Sequence, residues 1–205
     1  MHAATLIDWG VARLTLAGEA ESGDLHLVRA VRSGVLVCVV DGLGHGAEAA
    51  AAARAAVAAL NRNADEAVLP LISRCHEALR GTRGVVMSVA LFDRVQASVT
   101  WLGVGNVEGV LLYTDPAARR ARTTLLTRGG IVGSELPRLR AEVISLTPGD
   151  TLIFATDGIK EGFSDGLPAD ARPQQLADHI LSRHGKGTDD ALVLVARYTG
   201  VGAGG

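Results

Sequence analysis

The sequence predicts an α+β fold: a four-layer αββα sandwich in which two antiparallel β-sheets pack face to face and helices cover the outer faces. Three observations predict it. Apolar residues recur with period two along most of the chain. From Val85 to Thr156 strand patterns follow one another with no long helix between them, which favours antiparallel pairing over βαβ units. Strand patterns also outnumber what one open sheet usually holds, so two sheets must stack.

The elements follow in order. Leu6–Trp9 and Val11–Leu16 read as two short strands, then Leu25–Arg32 and Val35–Val40 as a hairpin turning at Ser33-Gly34. An Ala-rich helix runs from Ala47 to Asn61, apolar on nearly every side and therefore bound for close packing on a sheet. A second helix spans Asp65, its N-cap, to Arg80, with Gly81 as its stop and Pro70 early in its course. Strands follow at Val85–Phe92, Ala97–Gly103, Val107–Tyr113, Thr123–Thr127, Glu142–Leu146 and Thr151–Thr156, separated by turn signals such as Asp93-Arg94 and Pro148-Gly149-Asp150. Pro173 suits the first turn of a third helix, Pro173–Arg183, and Ala191–Tyr198 is the last strand. Residues 1–198 read as a single domain and residues 199–205 as a Gly-rich flexible tail.

Composition excludes several functions. Of 205 residues, 48% are hydrophobic, enough for a sizeable core. Lys+Arg number 20 against 22 Asp+Glu, a net charge of −2, so a strongly basic nucleic-acid face is not expected. Aromatic residues are 3%, too few for base-stacking platforms. The start has no basic region followed by a long apolar run, and Glu48 and Arg54 interrupt the Ala-rich helix, so neither a signal peptide nor a membrane span is expected. The expected location is cytoplasmic, with Cys38 and Cys75 as reduced core thiols.

The chemistry is sought in aspartates at strand ends: Gly23-Asp24, Asp41-Gly42-Leu43-Gly44-His45-Gly46, Thr156-Asp157-Gly158 and Thr188-Asp189-Asp190. With Ser33-Gly34 as the turn, paired positions sum to 67, so Asp41 faces His26. Asp24 then lies two residues, about 7 Å, further along the same face. Asp157 and Asp189 reach one rim if their strands are antiparallel neighbours; spacing leaves open whether the two rims coincide. Converging carboxylates repel unless cations intervene, and an all-oxygen set suits Mg²⁺ or Mn²⁺ rather than zinc. Each Asp-Gly is equally an ordinary turn former, so composition leaves turns and metal ligands both open.

The order of these motifs, with Arg83-Gly84 and Gly103-Val-Gly-Asn-Val107 between them, resembles the metal-dependent PP2C-type serine/threonine phosphatases. Within them it is similar to the SpoIIE-like bacterial branch and to its short stand-alone phosphatases of stressosome signalling. The likeness runs from about Gly23 to Ala196. It implies the αββα sandwich and two Mn²⁺ or Mg²⁺ ions at one end of it. It implies that Asp41 bridges both ions, that Gly42 offers its backbone carbonyl, and that Asp157 and Asp189 hold the other ion. Asp24 would touch metal directly or through water, and Asp190, where relatives carry Asn or Asp, ranks below Asp189. The implied reaction is one-step hydrolysis of phosphoserine or phosphothreonine, with Asp41 and Asp157 acting through a metal-bound water. The implied substrates are STAS-domain stressosome proteins.

The chain also departs from the pattern. Eukaryotic relatives have His two residues after the bridging aspartate, where Leu43 stands, and His45 does not inherit that role by position. Arg13 is only a weak match to the phosphate-gripping Arg of some relatives. Val85-Val86-Met87 replaces small hydroxyl residues, so a third ion is not expected. Gly103-Val-Gly-Asn106 reads as a tight turn beside the site, and Gly129-Gly130-Ile-Val-Gly133 as a loop able to touch a protein substrate. Arg119-Arg120-Ala-Arg122 reads as a solvated basic run, and His179 and His184 as helix surface. The departures keep a second reading in view, a catalytically silent phosphoprotein-binding module. A nucleotide-binding reading fails for want of a Gly-x-x-x-x-Gly-Lys-Ser/Thr or Gly-x-Gly-x-x-Gly loop.

Overall fold

Alternation of apolar side chains along the strands sorts them into layers. A computed structural model describes residues 6–114, 121–168 and 170–200. Among these residues the order is β1 (Ile7–Leu14), β2 (Asp24–Val31), β3 (Gly34–Gly42), α1 (Gly46–Arg62), α2 (Val68–Ala78), β4 (Val85–Asp93), β5 (Ser98–Val104), β6 (Glu108–Leu112), β7 (Arg122–Leu125), β8 (Glu142–Ser145), β9 (Thr151–Ala155), α3 (Pro173–His184) and β10 (Ala191–Tyr198). One sheet has the order β1-β10-β9-β6-β7 and the other β2-β3-β4-β5-β8. Every pairing between these strands is antiparallel.

Strand β3 shows why the layers form. Leu36, Cys38 and Val40 pack with Leu60, Ile72 and Cys75 of α1 and α2. Val35, Val37 and Val39 point the other way and meet Phe154, Leu192 and Leu194 of the second sheet. On that sheet's outer face Ile153, Val193 and Val195 pack against Leu176, Ala177 and Ile180 of α3. The result is the expected four-layer α+β sandwich with three apolar interlayers. Cys38 and Cys75 are free and buried under α1 and α2; burial pushes the Cys75 thiol up to about 12 and Cys38 well above its ordinary range. No helix among the described residues is long and apolar enough to cross a membrane.

Three local expectations are corrected. The two short opening strands are one, β1, paired without a break from Ile7↔Tyr198 to Leu14↔Ala191. Helix α2 begins at Val68 rather than Asp65, because the Asp65 carboxylate accepts the Arg32 N–H (2.9 Å) instead of capping the helix. Pro70 then falls in the first turn, where no amide proton is needed. The β2–β3 turn is Arg32-Ser33, not Ser33-Gly34, since Val31 pairs with Gly34. Gly34 is held inside the sheet by β4: a Cβ there would meet the Phe92 carbonyl oxygen at 1.8 Å. The two-residue change of register keeps every side chain on its expected face but sets Asp24, not His26, opposite Asp41.

Of the basic run, Arg119 and Arg120 lie outside the described residues, while Arg122 opens β7 and pairs with Asp165. Most of the Gly-rich tail, residues 201–205, also lies outside them.

Candidate active site

The β2–β3 ladder supplies the first pair of carboxylates. The Gly42 N–H donates to the Gly23 carbonyl (3.0 Å), so positions 23 and 42 are the hydrogen-bonded pair. Asp24 and Asp41 are then the neighbouring non-hydrogen-bonded pair, whose Cα atoms approach to about 4.5 Å. Gly42 is required here by contact: a Cβ would meet the Ala49 carbonyl oxygen at 2.2 Å, because α1 starts directly against the strand end. The connecting loop is tied down by the Leu43 N–H to the Gly84 carbonyl (3.2 Å) and by Arg83 paired with Glu48 (2.5 Å) in the first turn of α1. His45 precedes α1, its side chain 62% exposed, with Nδ1 2.6 Å from Glu19 Oε1.

The second sheet brings the other pair. Asp157 follows β9, and Asp189 and Asp190 precede β10. Thr156 joins the sheets: its hydroxyl donates to Asp24 Oδ2 (2.7 Å) and accepts the Leu192 N–H (2.9 Å). The two rims therefore coincide. Asp41, Asp157 and Asp189 line one cleft of about 480 Å³ together with Leu43, His45, Val86 and Asn106. Asp24 is buried beside it. Arg13 lies exposed on β1, away from this lining.

Electrostatics mark the cluster as short of positive charge. Burial, reinforced by the charges of Asp24, Asp157, Asp189 and Asp190, pushes the Asp41 carboxyl up to about 8. Burial also raises Asp24, to about 7; the Thr156 hydrogen bond opposes this, and Asp190, Asp157 and Asp189 add to it. Among the described residues no three His, Cys, Asp or Glu side chains stand close enough to form a ready ion cage. Mutual repulsion of like charges opposes a tighter approach. The donor set still fits a hard divalent ion: carboxylate oxygens converge on a cleft, and the one imidazole lining it is turned to Glu19.

The three other carboxylates differ in what they have left to offer. Asp157 Oδ2 accepts from the Asn106 amide (2.9 Å), and Lys186 Nζ donates to the Asp157 carbonyl (2.5 Å). Asp189 Oδ1 accepts the Asp190 N–H (2.8 Å). Asp190 is buried, with one oxygen on the Leu16 N–H (2.8 Å) and the other on the Gly23 N–H (2.7 Å). Its carboxylate thus fastens the 16–23 loop beside Asp24, which gives a physical reason for ranking it below Asp189. Sequence reasoning quoted Thr156 as part of the Thr156-Asp157-Gly158 motif without giving it a role, passed over Lys186, and read Asn106 within a tight turn beside the site. The available signal was position: each lies next to, or within a few residues of, an aspartate or glycine motif at a strand end.

The SpoIIE family (stage II sporulation protein E) matches residues 32–199. The chain belongs to the SpoIIE family. It is 26% identical over 149 residues, 73% of each chain, to the phosphoserine phosphatase RsbX of Bacillus subtilis strain 168. A crystal structure of RsbX in complex with magnesium superposes with a TM-score of 0.83 at 22% identity, covering 94% of this chain and 96% of that one. A chain solved in a study of the bacterial stressosome, as a modular system adapted to control secondary messenger signaling, is 31% identical with a TM-score of 0.84. It covers 93% of this chain and 99% of its own. The PP2C phosphatase domain of SpoIIE from Bacillus subtilis shares the fold at TM-score 0.76 and 21% identity, over 94% of this chain and 63% of that structure. The chain thus shares its fold with RsbX and with the PP2C phosphatase domain of SpoIIE.

Proposed function

We propose that this SpoIIE-family protein is a Mn²⁺- or Mg²⁺-dependent phosphatase that hydrolyses phosphoserine or phosphothreonine on cytoplasmic signalling proteins. STAS-domain components of a stressosome are the proposed substrates. The observation that carries the reading is the meeting of Asp24 and Asp41 from one sheet with Asp157 and Asp189 from the other at one cleft. The likeness to RsbX and to a stressosome chain supports the substrate class.

In this reading two ions would be held by Asp41, the Gly42 carbonyl, Asp157 and Asp189, with Asp24, paired to Asp41 across the ladder, in support. When bound, such ions supply Lewis-acid activation of water and offset charge on phosphoryl oxygens. The chain's own contribution is to aim the ligands. Asn106 fixes one oxygen of Asp157 and leaves the other free. Thr156 holds Asp24 by one oxygen in the same way. Val86 and Ile131 form apolar parts of the cleft wall, which favours exclusion of bulk water around a bound phosphoryl group. The retained carboxylates argue against a catalytically silent module.

The test is phosphate release from a phosphoserine peptide and from an aryl phosphate. Activity should require Mn²⁺ or Mg²⁺, stop with chelator, and fall at least a hundredfold in Asp41→Asn or Asp157→Asn, on the order of losing one strong electrostatic contact. Wild-type activity in Asp41→Asn would overturn the assignment.

A further inference from the structure

Beside the cleft lies a second cavity, of about 510 Å³, lined by Arg128, Arg138, Leu139 and Arg140. A smaller one, of about 260 Å³, continues from Arg128 and Arg140 to Leu126, Thr127 and Glu142. We infer that this arginine-lined surface docks an acidic segment of the phosphoprotein substrate, a proposal that rests on the phosphatase reading above.

Four observations carry it. First, all three arginines are exposed, and among the described residues none of their guanidinium groups has a hydrogen-bond or ion-pair partner. Arg54, Arg74, Arg80, Arg83 and Arg122 all have acidic partners. Three unneutralised cations meet on this patch, and Glu142 is the single carboxylate in the lining of either cavity. Second, the patch is fixed in place. Leu136, Leu139 and Ala141 pack into the apolar layer beneath α1 and α2, which leaves Arg138 and Arg140 to project on either side of the anchored Leu139. Third, the patch shares a wall with the cleft. The Arg128 carbonyl accepts the Gly105 N–H (2.8 Å), and both Gly105 and the next residue, Gly129, line the cleft. Fourth, Leu126, 75% exposed, adjoins the arginines and offers an apolar contact that a free anion would not use. Cationic charge beside apolar surface suits a polypeptide carrying Asp or Glu, held in register with a phosphorylated side chain in the cleft. Such charge also raises the encounter rate with an acidic partner.

Each exposed charge contact is worth a factor of roughly 1.5–5 in affinity, so three together set an expected preference of about tenfold. The test compares two phosphoserine peptides that differ only in an acidic or an isosteric amide flank, with an aryl phosphate as third substrate. Wild-type kcat/KM should be about tenfold higher for the acidic flank, with the advantage shrinking at high salt as screening increases. Arg138→Gln/Arg140→Gln should remove most of the preference and leave aryl phosphate hydrolysis unchanged. Equal kcat/KM for the two peptides in the wild type, or an undiminished preference in the double variant, would overturn the docking site. If nothing is hydrolysed, the phosphatase reading fails and docking is read separately. Fluorescence anisotropy of the labelled acidic peptide, without phosphate and in chelator, should then show tighter binding to the wild type than to the double variant. Equal binding, or binding of inorganic phosphate with no preference for the acidic peptide, overturns it.

Discussion

Asp41→Asn should make the metal-free protein more stable while removing most of its response to divalent ions. The Asp41 carboxyl is raised from 3.8 to about 8 by burial and by the surrounding aspartates. Between those pH values the folded protein keeps a proton that the unfolded chain has released. Unfolding free energy therefore falls as pH rises through this window, and the loss is complete above the folded value. At about 1.4 kcal/mol per pH unit, the window bounds the cost at roughly 6 kcal/mol. Two effects reduce it. The Asp24–Asp41 repulsion is one interaction felt by both groups, and Asp41 is only partly buried, so solvent screens some of its charge. The expected gain from a neutral isostere is then on the order of 2 kcal/mol at pH 8, or a Tm rise of roughly 4–8 °C for a chain of this size. Near pH 5, where the folded-state carboxyl is already protonated, the gain should shrink to well under about 1 kcal/mol. Thermal melts followed by circular dichroism, in chelator at pH 5 and pH 8, read both values. Added Mn²⁺ should raise the wild-type Tm by mass action and move the variant far less. A variant that melts below the wild type at pH 8 in chelator, or a gain equal at both pH values, would refute the electrostatic account.

Further substitutions probe the supporting residues. Asp190→Ala should free the part-buried Leu16 and the buried Gly23 N–H groups and cost on the order of 2–3 kcal/mol in urea unfolding, with Asp190→Asn recovering part of it through one amide oxygen. Thr156→Val removes the donor to Asp24 and the acceptor of the Leu192 N–H, so a loss of roughly 1–3 kcal/mol is expected, together with a steeper fall of metal-free stability as pH rises from 5 to 8. Gly42→Ala places a methyl 2.2 Å from the Ala49 carbonyl oxygen, and since α1 backbone cannot yield cheaply the expected cost is roughly 3 kcal/mol or more, read as lost soluble expression or a lowered denaturation midpoint.

The layered fold was legible because its determinants are local. Side chains alternate along each strand, so β10 could be bounded at Ala191–Tyr198 from pattern alone, and Pro173 marked the start of α3. What escaped was decided by contacts between distant segments. Ser33-Gly34 has the better turn chemistry, yet β4 crosses so close to Gly34 that only a strand position accommodates it, and the turn moves back to Arg32-Ser33. Asp65 has the chemistry of an N-cap, but the Arg32 N–H claims it first. The coincidence of the two aspartate rims depends on how the sheets stack, which no spacing within either hairpin specifies. Thr156, Asn106 and Lys186 act through hydrogen bonds to partners 29 to 132 residues away, and such bonds leave no periodic trace.

Asp189 and Asp190 carry the same chemical group at adjacent positions, and their surroundings divide their roles. Successive residues entering a strand point to opposite sides. Asp189 therefore reaches the cleft, while Asp190 turns inward to the 16–23 loop and is buried with both oxygens occupied. A carboxylate that accepts two backbone N–H groups is already compensated and has little to gain from a cation. One with an oxygen free beside other uncompensated charges has much to gain. The same reasoning ranks the whole cluster. Asp41, which has no donor among the described residues, is raised furthest; Asp24, with the Thr156 hydroxyl, is raised less. Cation affinity should follow that order, so Asp41→Asn should weaken Mn²⁺ binding most, Asp24→Asn less, and Asp190→Asn least. Isothermal titration of the three variants in parallel decides it. A loss for Asp190→Asn as large as for Asp41→Asn would mean that occupied oxygens still ligate, and that hydrogen bonding does not set the division of labour.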